Sequence, residues 1–169
     1  RIFDAVAAAV GICQNSISFE GQAAMKLESI VQKQSYAPYP INIEKKSDNH
    51  YFKHLNLKPM WIEILNDLQK KVLPSIISAK FHQGLSTAIC NLIIETYRWK
   101  RKNVSNTNVV ALSGGVFQNQ ILKNLTEKKL KKANFIVISH QRLPSNDGCI
   151  ALGQAIVANA IIDNLKSQT

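Results

Sequence analysis

The sequence predicts an α/β fold, and three observations carry that prediction. The last third alternates short apolar runs with helical periodicity in the order β-α-β-α. A polar, glycine-containing loop follows each of its two strands, and the residues before it read mainly as helices around one short hairpin. At 169 residues and 46% hydrophobic content, the chain can bury one core or two small lobes sharing a cleft.

Residues 2–11 show helical spacing, with Ile2, Phe3, Val6 and Val10 on one side and Asp4, Ala7, Ala8 and Gly11 on a smaller one. A loop enters a second helix within 19–31, where Ala24, Leu27 and Val31 recur at helical intervals and Glu28 is expected to face solvent. Two prolines break the pattern between Tyr36 and Pro40. Residues 40–45 and about 50–55 flank the polar turn Ser47-Asp48-Asn49, which predicts a hairpin. A helix over 59–70 should turn Met60, Trp61, Ile64, Leu65 and Leu68 inward. Pro74 suits the first turn of a long helix to about Trp99, because its missing amide hydrogen costs little there. Phe81, Leu85, Ile89, Leu92 and Ile93 form its apolar stripe. Strand 108–112, helix 115–132, strand 134–139 and helix 145–164 complete the chain, the strands parallel. The organisation is therefore a helical segment 1–35, a hairpin with helices 36–107, and a β-α-β-α unit 108–169.

Composition narrows the function classes. No run approaches the roughly 18 apolar residues of a membrane span, and no signal peptide opens the sequence. Cys13, Cys90 and Cys149 are far apart and odd in number, which fits a reducing compartment and builds no thiolate cage. These features point to a cytoplasmic protein without a membrane partner. Because Arg1 leads straight into a helix, a piece of a longer protein is expected. The net charge is +10, and nine of the 21 basic residues gather in two clusters, Arg98 to Lys102 and Lys123 to Lys132. Both lie where helices should end, so dipole compensation and solvation account for them better than nucleic-acid contact.

In an α/β unit, ligands gather beyond the carboxyl ends of the strands. Ser113-Gly114-Gly115 sits there, with amides at a helix N-terminus and no side chains to hold a phosphate or flat ligand away. Asn119, one turn on, offers a donor and an acceptor. Asn146-Asp147-Gly148 holds the matching position after the second strand, where Asp147 can ligate a hard cation or one of Ser145, Asn146 and Asp147 can cap the last helix. His50 and His54 share the spacing of a helical metal pair, but in a strand they lie about 13 Å apart, too far for one ion. His82 and His140 stand singly and read as packed or capping residues.

RIFDAVAAAVGI, SFEGQAAMKLE, AKFHQGL, VVALSGGVFQNQIL and LPSNDGCIALGQAIVA, in this order, closely resemble the carboxy-terminal part of the HypF hydrogenase maturation carbamoyltransferases. The resemblance covers nearly the whole chain and is weakest from about 35 to 75. It implies the carboxyl lobe of an actin-like, ribonuclease-H-like (ASKHA) ATPase fold, a mixed sheet with flanking helices, related to the TsaD-type enzymes. It further implies carbamoyl transfer from carbamoyl-adenylate, made from carbamoyl phosphate and ATP, to the carboxy-terminal cysteine of HypE. The site residues it implies are Asp4, Glu20, Gly21, Gly114, Gly115 and Asn119 toward the adenosine. Asp147 would meet a divalent metal shared with a histidine pair that lies upstream of RIFDAVAA in the family. No catalytic nucleophile within the chain is implied, and Cys149 is expected to be buried in the last helix. A nucleic-acid-binding module and a sugar-kinase-like phosphotransferase lobe are the alternatives.

Overall fold

The computed structural model describes residues 1–32, 34–45, 53–103 and 107–166. The apolar periodicities become helices α1 (Ile2–Ala9), α2 (Gln22–Ser29), α3 (Lys58–Gln69), α4 (Pro74–Asn103), α5 (Gln120–Lys132) and α6 (Ile150–Lys166). Strands β1 (Asn42–Lys45) and β2 (Lys53–Asn56) pair antiparallel, and β3 (Val109–Leu112) and β4 (Ile136–Ser139) pair parallel. The two pairs are separate sheets, not the single mixed sheet expected. Residues 47–49 of the expected hairpin turn lie outside the described residues.

Helix α4 is the spine. Its 30 residues rise about 45 Å, long enough to carry a different core on each half. Ile77, Phe81 and Leu85 on the first half pack with Phe3 and Val6 of α1, Leu27 of α2, and Met60 and Ile64 of α3. Cys90 on the second half meets Leu112, Leu130 and Phe135, with Tyr97 edge-on to Phe135 at 5.0 Å between centroids. Burial pushes the Cys90 thiol up to about 11, so this cysteine is an inert core side chain. The coil before β1 is tied to α4 by Tyr39 N, which donates to Lys80 O at 3.3 Å, and to α3 by the Tyr39 hydroxyl, which donates to Asp67 at 2.6 Å while Lys80 pairs with the same carboxylate. Burial would raise the Asp67 pKa, but the hydrogen bonds from Lys80 and Tyr39, with the Lys80 charge, outweigh it and hold the carboxyl below its usual range. A side chain at Gly84 would meet the Tyr39 carbonyl oxygen at 2.6 Å, so only glycine lets the coil come this close.

Within its elements the structure also departs from the sequence expectations. Leu65, expected inward, is exposed, and Asp67 takes the buried position two residues on because it has partners there. The helix expected over 115–132 is interrupted: residues 115–118 form a 3-10 turn, and Asn119, in an extended conformation, caps α5. The last helix starts at 150 after a second 3-10 turn, with the Asn146 side chain accepting from Gly148 N. Cys149 therefore stands in that turn, half-buried, with its thiol on the Pro144 carbonyl oxygen, and not within a buried helix.

Candidate functional site

Both strands of the parallel pair end on the same side, and their loops meet there. Gly114 adopts φ +102, a conformation an L side chain rarely takes, and this turn aims its amide at the Ser145 carbonyl oxygen, 2.8 Å away. The loop after β3 is thus bonded to the loop after β4. Beside them, Ser113 Oγ and His140 Nε2 lie 3.1 Å apart at the two strand ends.

A cavity of about 750 Å³ opens between these loops and the start of α2. One wall brings Glu20, Gly21, Ala24 and Glu28, and the other brings the 115–118 turn, Asn119, Lys123 and His140. This volume suits a ligand of nucleotide size. Four of the sequence-derived residues line it: Glu20, Gly21, Gly115 and Asn119. A side chain built at Gly115 would meet only Asn146 Cβ, at 3.8 Å, so the space beside it is open. Gly114 shapes the rim without lining the cavity. Asp4 stands apart from it, its carboxylate paired with Arg1 at 3.3 Å on the outer side of α1, although its neighbour Phe3 does line the wall.

Asp147 is exposed in the second 3-10 turn. Among the described residues no three histidine, cysteine, aspartate or glutamate side chains gather around any point that could hold a metal ion. One exposed carboxylate does not make a divalent-metal site, so these residues alone do not fit the implied metal. His50 of the HYFKH pair lies outside the described residues, and His54 faces Glu44 across the hairpin at 3.6 Å.

Two residues of the site escaped the sequence reading. Glu28, expected in solvent, accepts a hydrogen bond from Ile121 N at 3.1 Å and so caps α5 from another helix. Its signal was the seven-residue spacing from Gly21, two turns along one face of α2. Lys123, assigned to a solvating cluster, points inward with its ammonium 3.5 Å from the His140 carbonyl oxygen. It lies four residues after Asn119, hence on the same face. His82, expected to be packed or capping, is fully buried behind Asn119, a contact the sequence reading did not foresee. No local pattern distinguishes it, because its partner comes from a distant helix.

This geometry coincides with a family assignment. A family model described as "Carbamoyltransferase, Kae1-like Domain, second subdomain" matches residues 1–154, nearly the whole described length. The chain belongs to the HypF carbamoyltransferase family. Carbamoyltransferase HypF of Synechocystis sp. is 34% identical over 157 residues, covering 92% of this chain and 18% of the relative. That of Rhodobacter capsulatus is 32% identical over 167 residues, covering 97% and 20%. A crystal structure of full-length HypF in the phosphate- and nucleotide-bound form shares 37% identity, with a TM-score of 0.80 over 95% of this chain and 20% of that one. The structure of T. kodakarensis HypF, 22% identical with a TM-score of 0.74 over 96% of this chain and 20% of that one, shows the same fold. The chain therefore spans about a fifth of the HypF proteins it matches. No helix among the described residues is long and apolar enough to cross a membrane.

Proposed function

We propose that this chain forms the adenylate-facing wall of a cytoplasmic carbamoyl-transfer site and the carboxyl lobe of an actin-like ATPase fold. The carbamoyl group would pass from carbamoyl-adenylate, made from carbamoyl phosphate and ATP, to the carboxy-terminal cysteine of HypE, toward the cyanide ligand of nickel-iron hydrogenases. One observation carries this reading. Four of the six residues that the family resemblance assigns to adenosine, Glu20 and Gly21 just before α2 and Gly115 and Asn119 before α5, come from segments about a hundred residues apart and face one cavity.

The cavity's charges are arranged for such a ligand. Glu20 and Glu28 bring carboxylates from the α2 side, acceptors that suit ribose hydroxyls. Lys123 brings a cation from α5, toward which a phosphate would turn. In the transfer, the partner's thiolate attacks the carbamoyl carbon, a C–S bond forms, the C–O bond to phosphate breaks, and AMP leaves with the electron pair. Nothing in this chain needs to act as nucleophile. Its residues bind the nucleotide, orient it and stabilise the leaving phosphate.

Titration of AMP into the isotopically labelled protein tests the reading. NMR shifts are expected at Glu20, Gly21, Gly115, Asn119 and His140, and they should disappear when Glu20→Ala and Lys123→Ala are combined. Shifts that follow Lys128, Lys131 and Lys132 with a short RNA, and none with AMP, would replace it with a nucleic-acid-binding role.

A further inference from the structure

Asn119 reaches the cavity with little freedom left. Its Oδ1 accepts from Leu122 N at 2.8 Å, which caps α5, and its Nδ2 lies 2.9 Å from His82 Nε2. The ring at the other end of that contact is itself fixed. His82 Nδ1 lies 2.8 Å from the carbonyl oxygen of Ser78, one turn earlier in α4. A carbonyl oxygen can only accept, so Nδ1 carries the proton and Nε2 presents a lone pair. Nε2 is thus the acceptor, and the Asn119 amide has one orientation that satisfies both of its ends.

The surroundings leave this ring no other task. Phe3 and Phe81 pack against it edge-on, each with 5.5 Å between centroids, and the ring is fully buried. Ser78, which also lies near Nδ1, donates its hydroxyl to Leu27 O at 2.6 Å and so joins α4 to α2. Among the described residues, Glu28 of α2 is the charged group whose field reaches the ring; α1 presents Phe3, and the start of α5 presents Asn119. His82 does not line the cavity.

We infer that His82 is a positioning residue for the nucleotide site: a neutral imidazole whose Nε2 orients the Asn119 amide and sets the start of α5 against the ligand. The inference rests on the adenine-nucleotide reading of the cavity and names the residue that fixes its geometry. A protonated ring would have two N–H donors and could not accept from Asn119. The amide would then have to turn over, which removes the acceptor from Leu122 N and loosens the cap. Burial holds the His82 pKa below the ordinary imidazole range, against the opposing pull of the Ser78 carbonyl and the Glu28 charge. The acceptor form therefore persists through neutral pH and is lost only on acidification.

Two measurements on the protein test this separately from the nucleotide assignment. Without ligand, 15N spectra should show His82 in the Nδ1–H tautomer and a slowly exchanging Asn119 side-chain amide, which becomes fast-exchanging in His82→Phe. With adenosine, which has no phosphate to titrate, His82→Phe should weaken binding about 3- to 10-fold, the scale of one hydrogen bond. His82→Gln, which keeps an acceptor and does not titrate, should restore binding. Wild-type affinity should be level through the neutral range and decline only on acidification below the ordinary imidazole range, while His82→Gln stays flat. A freely exchanging Asn119 amide in the wild type overturns the inference whatever adenosine does. So does undiminished adenosine binding by His82→Phe. If adenosine does not bind the wild type while the tautomer and the protected amide are observed, the nucleotide reading falls and the orienting contact stands.

Discussion

Helices α5 and α6 follow the two strands of one parallel pair, yet they have opposite fates. In α5, rich in lysine, Leu122, Thr126 and Leu130 are fully buried. In α6, much the more apolar sequence, every described side chain from Ile150 to Asp163 is exposed, including Ile156, Val157 and Ile161. The strands repeat the contrast. Val110, Leu112 and Val137 face the core beneath α5, while Val109, Ile136 and Ile138 are bare on the other face. Burial here is decided by what a neighbouring element offers. Helix α5 has α4 to pack on, and α6 has no such surface among the described residues.

Substitutions on the two helices test that difference, and the largest effect belongs to α5. Leu122→Ala should destabilise the protein by about 2–5 kcal/mol in chemical denaturation, the range for a buried leucine truncated beside neighbours that relax only partly. Thr126 supplies a second contrast. Its hydroxyl is buried and has no partner among the described residues. Thr126→Val keeps the shape and removes that unmet group, so a gain of about 1 kcal/mol is expected. A loss instead would mean that the hydroxyl has a water or ligand partner. On α6, Ile156→Ala should change stability by less than about 0.5 kcal/mol. A change as large as that of Leu122→Ala would show that α6 packs in solution as tightly as α5 and would abolish the distinction.

Much of this was legible in the sequence, for definable reasons. Helix and strand existence followed from periodicity, so α1 with Phe3 and Val6 inward, the hairpin strands, α4 and the parallel pair were all anticipated. Which face a helix buries was legible only where its neighbour could be guessed, hence the misplacement of Leu65 and of Glu28. The site was half legible. Glu20, Gly21, Gly115 and Asn119 were carried by recognisable segments and do share a cavity, whereas Glu28, Lys123 and His82 act through partners from distant segments. The break at Asn119 was missed because an asparagine near a ligand loop and an asparagine capping a helix look alike in sequence. The structure shows the second role directly.

The bond from Gly114 N to Ser145 O and the contact of Ser113 with His140 fasten the two loops side by side. Parting the two loops at the cavity mouth would cost both contacts together. A ligand arriving at that corner therefore meets the polar groups of both loops as one joined surface rather than as two separate edges.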